Sequence, residues 1–232
     1  MNPVEIPSDF TIPLLGIQVE AHWSLHALLM FSLWFVLAPV SILAMRYLKP
    51  KPGEYGVPNA GSYFFSRMHF LGLQTTVALS LLGGGLAFLA SRGFSGSLHA
   101  YFGAATILFG ALQIISAWMR GTHGGKYGHD ANPDDPSTWS GDHYDMTPRR
   151  IWFEAYHKAT GYFTLAMALG AIATGLAQYW VGSIAWAGVV LFFGYGVIVV
   201  VAEGKGMRFD TYRAVYGTHP DHPGNQCRDG YR

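Results

Sequence analysis

Five long apolar stretches, separated by shorter polar segments, dominate the pattern of hydrophobic and polar positions along the chain. An α-helix needs roughly 20 apolar residues to cross the hydrocarbon core of a bilayer. We therefore predict five transmembrane helices, at Leu25–Tyr47, Phe64–Ser91, Ser97–Trp118, Trp152–Trp180 and Ile184–Ala202. Pro39 lies inside the first stretch and predicts a kink there.

The composition favours a membrane protein over a soluble one. Of the 232 residues, 50% are hydrophobic and only 12% are charged, against about 25% charged in a typical soluble domain. The predicted fold is all-α, a multi-pass membrane bundle in contact with lipid. We divide the chain into an outer segment at 1–22, a transmembrane domain at 23–202 and a polar inner tail at 203–232. No basic, aromatic-rich soluble module is present, which argues against nucleic-acid binding.

The outer segment contains one short apolar run, Phe10–Val19, interrupted by Pro13 and Gly16. Ten residues are too few to span a bilayer as a helix. We therefore expect this segment to lie at the membrane interface or to face a partner.

The basic residues predict the orientation. If the N-terminus lies outside, fourteen of the fifteen Lys and Arg residues fall on the inner side, and only Arg92 falls outside. Cytoplasmic loops carry such an excess of Lys and Arg. We expect a bacterial inner membrane, with a periplasmic N-terminus and a cytoplasmic C-terminus.

Four of the five stretches carry a histidine near their N-terminal end. His26 and His99 belong to stretches that begin outside, and His69 and His157 to stretches that begin inside. Two histidines from different helices at one depth can fill both axial positions of a haem iron. The sequence therefore predicts two haem groups, one in each leaflet, bound by His26 with His99 and by His69 with His157.

The predicted haems are of the b type. Cys227 is the only cysteine, and the chain has no C-x-x-C-H motif, so both haem b groups are expected to be bound non-covalently. Histidines at helix ends are more often interfacial polar residues, but intramembrane ionisable groups usually mark function. Their matched depths, and the absence of a histidine from the fifth stretch, favour ligands. His22, four residues before His26, is the alternative outer ligand.

Glycines follow three of these histidines at helical spacing. Gly72, Gly103 and Gly161 lie three or four residues after His69, His99 and His157, on the same helix face. We expect them to leave room for a flat macrocycle, although glycines in membrane helices more often permit close packing between helices.

Polar residues outside these pairs have more than one interpretation. Five basic side chains gather at the inner end, namely Arg46, Arg67, Arg149, Arg150 and Lys158. They fit either headgroup contact or an electropositive mouth for an anionic reductant or haem propionates. Gln74 and Gln113 lie inside spans, where we expect hydrogen bonds between helices.

Histidines also occur in the polar segments. His123, His129 and His143 lie in a Gly- and Asp-rich loop, where metal binding is an alternative to the solvated state that we expect. His219 and His222 form a weak H-x-x-H in the tail.

The histidine-bearing segments read HALLMFSLWFVLAPVSILAMRY, RMHFLGLQ, LHAYFGAATILFGALQ and GDHYDMTPRRIWFEAYHKATGY. They resemble the four ligand-bearing helices of the cytochrome b561 family, over roughly residues 23–202. The resemblance implies a transmembrane dihaem electron carrier, the same histidine pairing, and a place for Arg46 in an inner reductant site. Family members usually have six spans. Five are predicted here, and we expect the difference of one helix to leave one face of the bundle open for a partner subunit or a second copy.

The expected function is electron transfer across the membrane through two bis-histidine haems, with ferric or quinone reductase activity as one form of it. The alternative is a dihaem membrane-anchor subunit of a larger dehydrogenase that exchanges electrons with quinone. A flavin-linked ferric reductase is disfavoured, because that class places two histidines in one helix and adds a nucleotide-binding domain. A non-redox transporter or scaffold would be colourless when purified.

Overall fold

A computed structural model of the chain describes residues 9–12, 16–20, 22–52, 64–126, 128, 130–218 and 222. Pro13, His129, His219 and Cys227, which the sequence analysis singled out, lie outside the described residues. Within the described part the fold is all-α apart from one short hairpin.

Five helices are long and apolar enough to cross a membrane, which confirms the predicted multi-pass bundle. They are Trp23–Tyr47, α3 (Phe64–Ala90), α4 (Leu98–Trp118), α6 (Pro148–Gln178) and α7 (Gly182–Gly204). The first consists of α1 (Trp23–Phe31), a π-helical segment (Ser32–Leu37) and α2 (Ala38–Tyr47). Two short helices, α5 (Asp142–Asp145) and α8 (Thr211–Tyr216), lie outside the spans.

The largest difference from the predicted boundaries is at the start of α6. This helix begins at Pro148, about one turn before the predicted Trp152. The Thr147 side chain accepts a hydrogen bond from the Arg150 N–H, and Pro148 occupies the first turn. Both residues favour a helix start. A threonine side chain can accept a hydrogen bond from a free N–H group of the first turn, and a proline has no N–H that would be left unpaired.

The N-terminal segment contains a hairpin that the hydrophobic pattern did not predict. Strand β1 (Asp9–Ile12) pairs antiparallel with β2 (Ile17–Glu20). Gly16, with φ of +62°, takes the left-handed conformation just before β2. The exposed Asp9 carboxylate lies 3.7 Å from Arg92, in the turn between α3 and α4.

A π-helical segment, Ser32–Leu37, ends two residues before Pro39, where the sequence predicts a kink. Proline has no N–H to donate to the carbonyl four residues earlier, which here belongs to Phe35. The Tyr195 hydroxyl of α7 donates to the Phe35 carbonyl at 2.9 Å. The side chain from α7 thus satisfies the backbone group that the proline leaves free, and attaches α7 to the first span.

The four histidine-bearing helices pack as two hairpins. α4 packs most extensively against α6, and α2 packs against α3. Between them lies a buried apolar cluster of Leu33, Trp34, Ala38 and Ala168. The Trp34 indole donates to Ser80 Oγ at 2.8 Å, so the polar atoms in this layer are also satisfied.

Gly72 lies at the contact between α2 and α3. A Cβ atom at this position would overlap Ser41 Oγ and lie 3.2 Å from Ser41 Cβ, and Ser41 is fully buried. The missing side chain therefore allows the two helices to approach each other, as small residues do in membrane bundles.

We expect Gly72→Ala to lower the free energy of unfolding by about 1–3 kcal/mol, because overpacking at a buried contact forces the helices apart. Gly85→Ala on the same helix is the control, since a Cβ there meets no atom within 4 Å. Unfolding of both variants in mixed detergent micelles measures the difference. Equal stability of the two variants would contradict the close contact at Gly72.

Candidate functional site

The four predicted ligand histidines lie together as two pairs. The ring centres of His26 on α1 and His99 on α4 are 6.2 Å apart, with the ring planes at 90°. Those of His69 on α3 and His157 on α6 are also 6.2 Å apart, with the planes at 68°. Among the hydrogen bonds of the described residues, none joins the two histidine rings of either pair. Each pair thus combines helices from the two different hairpins.

The spacing fits two imidazoles bound to opposite sides of one metal ion. An imidazole nitrogen lies about 2 Å from a first-row metal ion, and the ring centre lies about 1.1 Å further on. Two axial imidazoles therefore have ring centres about 6.2 Å apart. Both pairs match this value without direct contact between their nitrogen atoms.

His22, the alternative outer residue, is exposed at the N-cap of α1. The structure places His26, and not His22, beside His99. The ring of Trp23 lies against His26, with ring centres 6.0 Å apart.

We call His26 and His99 the outer pair, and His69 and His157 the inner pair, after the predicted orientation. The outer pair lines a cavity of about 560 Å³ with mostly apolar walls. Its volume is within the range of small-molecule and cofactor sites, about 300–1,000 Å³. Gly103 faces this cavity, and a Cβ there would meet no atom within 4 Å. The buried indole nitrogen of Trp23, also in the cavity wall, has no hydrogen-bond partner among the described residues. The site therefore has space for a flat apolar group and an unused donor near its edge.

A main-chain group holds the ring of His99. His99 Nδ1 lies 2.9 Å from the Ala171 carbonyl oxygen of α6. A carbonyl only accepts hydrogen bonds, so Nδ1 carries the proton and Nε2 keeps a free lone pair. Gly175 lies one turn further along α6, and a Cβ there would be 2.9 Å from His99 Nδ1. The surface of α6 is thus shaped to receive this ring.

The inner pair opens into a larger and more polar cavity of about 1,310 Å³. Eight Lys and Arg side chains line it against two acidic ones, Glu154 and Asp210. Four of the five predicted basic residues belong to this lining, namely Arg46, Arg67, Arg150 and Lys158. A surplus of positive charge around a recess attracts anionic groups.

A buried ionic cluster lies one turn from His157. Arg150 is only 9% exposed and donates to Tyr212 Oη at 3.0 Å and to Glu154 at 3.1 Å. Tyr212 donates in turn to Glu154, and Lys158 lies 3.1 Å from the same carboxylate. The spacing of Arg150, Glu154 and Lys158, four residues apart on one helix, was visible in the sequence. The contact with Tyr212 of α8 was not.

Two more of the predicted basic residues, Arg46 and Arg149, also have hydrogen-bond partners. Arg46 donates to Glu203 at the end of α7, at 2.5 Å, and to Tyr47 Oη at 2.9 Å. Arg149 donates to the Met119 carbonyl at 2.9 Å. Arg46 therefore lines the inner cavity with much of its charge already neutralised by a carboxylate.

The expectation that His143 is a solvated loop residue is wrong. His143 is 8% exposed, because Tyr212 and Tyr216 of α8 pack against its ring. Its Nδ1 lies 3.2 Å from Nδ1 of His123, which lies 2.8 Å from Tyr216 Oη. Burial, together with the nearby Arg150 charge, lowers the pKa of His143 to about 2. His222 stacks on Tyr216, with ring centres 5.1 Å apart.

Further predicted residues inside the spans are Gly72, Gly161 and Gln113. Gly72 contacts Ser41, as described above, and a Cβ at Gly161 would lie 4.0 Å from Gln113 Oε1. A haem contact for these two glycines stays a prediction. Gln113 does form the expected bond between helices, since its side-chain amide is hydrogen-bonded to Thr160 of α6.

Comparisons of the chain with protein-family models, with curated proteins and with solved structures return no match. A function has therefore to be inferred from the geometry of the two histidine pairs and their cavities.

We expect the protein to lose stability as the pH falls below about 6.5. Unfolded His143 takes up a proton near that pH, whereas the buried ring, with its pKa lowered to about 2, does not. The unfolded state then binds more protons, so stability is highest above the unfolded pKa and declines as the pH falls toward the folded one. Between about pH 7.5 and 5 this residue accounts for up to about 2 kcal/mol.

Detergent unfolding at both pH values, for the wild type and for His143→Gln, measures this contribution. The exposed residue His22 supplies the control variant, His22→Gln, which should keep the wild-type pH dependence. If His143→Gln keeps it as well, burial of a neutral His143 is not its source.

Proposed function

We propose that the protein carries electrons across a membrane through two haem b groups, one near each face. The observation that carries this proposal is the 6.2 Å distance between ring centres in both histidine pairs. When bound, haem supplies an iron that changes its charge by one electron. His26 and His99 would hold the outer haem, and His69 and His157 the inner one. Because histidines fill both axial positions, oxygen activation is disfavoured and electron transfer is favoured.

The helix geometry supports two steps across the bilayer. His157 lies about 21 Å along α6 from Ala171, the residue that holds His99, at about 1.5 Å per helical residue. The hydrocarbon core is about 30 Å thick. A single haem site is therefore too small to carry electrons from one face of the membrane to the other. The two histidine pairs would divide the distance into shorter steps. The apolar layer around Trp34 and Ala168 keeps water and ions out of the interval.

The chain's charges support an orientation with the N-terminus outside. Among the described residues, Arg92 lies at the end of the bundle beside the N-terminal hairpin, and the basic cavity lies toward the other end. This is the distribution expected for a bacterial inner-membrane protein with a cytoplasmic C-terminus.

The inner cavity supports a role for anionic groups at that face. Arg67 is exposed within it, whereas Arg150 is buried and fixed by Glu154 and Tyr212. In this proposal the exposed positive charge draws an anionic small-molecule reductant toward His69 and His157. The fixed Arg150, held against Phe153, keeps the His157 side of the cavity in shape, since the Phe153 ring stacks on His157 at 5.2 Å. Electrons leave at the outer pair, beside the turn at 92–97.

We expect the purified protein to contain two haem b per chain, with the reduced-minus-oxidised spectrum of bis-imidazole iron. His99→Ala should remove the outer haem and His157→Ala the inner one, so that each variant keeps one haem per chain. His22→Ala is the matched control and should keep two. Haem extraction combined with protein quantification gives the ratio.

A colourless wild-type protein would overturn the proposed function. Retention of both haems in His99→Ala would contradict the pairing of His26 with His99.

A further inference from the structure

The indole of Trp23 carries a polar group that the described part of the chain leaves unpaired. Trp23 is the first residue of α1, three residues before His26, and it lines the outer cavity. Its Nε1 is buried and has no hydrogen-bond partner among the described residues. An indole N–H can only donate, and burial of a donor without a partner destabilises the folded protein. The indole is therefore available to an acceptor from outside the chain.

The other polar side chains deep in the same cavity wall have partners. The second indole, that of Trp34, donates to Ser80 Oγ at 2.8 Å. The hydroxyls of Ser91 and Thr106 each donate to the main-chain carbonyl four residues earlier, both at 2.8 Å. Trp23 differs from these three, although it lies in the same wall.

The charges around the outer cavity limit what could pair with this donor. Among the described residues that line it, none is Asp, Glu, Lys or Arg. Arg92 belongs to the adjoining turn, but its exposed side chain lies 3.7 Å from Asp9. The first turns of α1 and α4 both contribute to the wall. The first N–H groups of a helix have no partner within it and form the positive end of its dipole. An anionic group at this end is therefore met by neutral donors and not by a cation.

These features fit one edge of haem b, a flat apolar macrocycle with two carboxylates on the same edge. The deep wall, around Ile107, Ala168 and Ile172, is apolar and suits the macrocycle. A carboxylate placed there would lose its hydrogen bonds to water without replacement. The carboxylate edge therefore fits the end of the cavity at which α1 and α4 begin. Trp23 lies at that end, and tryptophan is enriched at membrane interfaces for the same combination of an apolar ring and a polar N–H.

We propose that Trp23 is a positioning residue of the outer site, whose indole Nε1–H donates a hydrogen bond to a haem carboxylate. This inference rests on the proposed function. Hydrogen bonds to an ionised acceptor are stronger than those between neutral groups. The Trp23 ring lies edge-on to His26, with ring centres 6.0 Å apart and the planes at 78°. The indole thus holds the carboxylate edge toward the membrane surface, beside a ligand of the iron.

The affinity for the outer haem tests the inference. His157→Ala is the background, because under the proposed function only the outer haem remains in that variant. Trp23→Phe keeps an aromatic ring beside His26 and removes the N–H. We expect it to raise the dissociation constant of the haem about tenfold, the effect of losing one hydrogen bond to a charged group. Trp180→Phe changes a tryptophan at the same end of the bundle that is 71% exposed, and should leave the dissociation constant unchanged.

Haem dimethyl ester separates the hydrogen bond from packing. Its macrocycle and iron are those of haem b, but its two carboxyl groups carry no charge. The effect of Trp23→Phe should largely disappear when the ester replaces haem. An equal effect on both would show that Trp23 acts by packing against His26, and would overturn the inference.

Ultraviolet resonance Raman spectra of the wild type provide a measurement that needs no variant. The indole N–H vibration reports whether a tryptophan donates a hydrogen bond. We expect one of the seven tryptophans to gain a hydrogen bond when haem is added to the haem-free protein. A gain on addition of a quinone, and not of haem, would assign the donor to a quinone carbonyl and overturn the inference. If Trp23→Phe does not fold, this signal decides.

The outcomes separate this inference from the proposed function. A wild type that binds no haem overturns both. A wild type that binds two haems, with full affinity in Trp23→Phe, overturns only the role of Trp23. A tenfold loss for haem without a comparable loss for the ester supports both.

Discussion

An imidazole inside a bilayer has no water with which to form hydrogen bonds, and this constraint organises the bundle. An unsatisfied polar group in an apolar environment costs several kcal/mol on hydrocarbon scales. The chain satisfies Nδ1 of His99 with the Ala171 carbonyl and Nδ1 of His157 with Gln113. In each case the opposite nitrogen is directed to a cavity shared with a histidine of another helix. In His99 and His157 one ring nitrogen is thus satisfied by a neighbouring helix, whereas Nδ1 of His69 and the indole nitrogen of Trp23 have no hydrogen-bond partner among the described residues.

The same helix contact that builds the bundle also builds the sites. α4 and α6 run antiparallel, each with a histidine near its N-terminal end, so the histidines lie at opposite depths. Each helix then presents a hydrogen-bonding group to the other's ring, the Ala171 carbonyl to His99 and the Gln113 amide to His157, and close approach is needed for both. Gly175 permits it at the outer level, and Gly170 does the same beside Phe102, whose ring lies 2.8 Å from where a Cβ would stand. The packing of α4 against α6 and the orientation of these two histidines therefore depend on the same contacts.

Much of the fold could be predicted because its determinants are local. The apolar stretches set the five spans, and the position of each histidine within its stretch set its depth. Sequence alone did not predict the β1–β2 hairpin, which follows from pairing and from the conformation of Gly16. Nor did it predict the burial of His143, because the tyrosines that cover it belong to α8, far along the chain. Gly72 shows the limit of spacing arguments, since only its neighbour Ser41 reveals the helix contact that it makes.

The two cavities differ in a way that bears on the proposed direction of electron transfer. The outer one is small and apolar, whereas the inner one is larger and has a surplus of basic side chains. Positive charge stabilises an added electron and attracts anionic partners, and both effects act over about 8 Å at physiological ionic strength. The same residues also predict the topology of the chain in the membrane, by the excess of Lys and Arg on cytoplasmic sides. Under the proposed function, topology and chemistry would therefore favour the same face: the side predicted to retain the basic residues is also the side at which an anionic donor would be concentrated, beside His69 and His157.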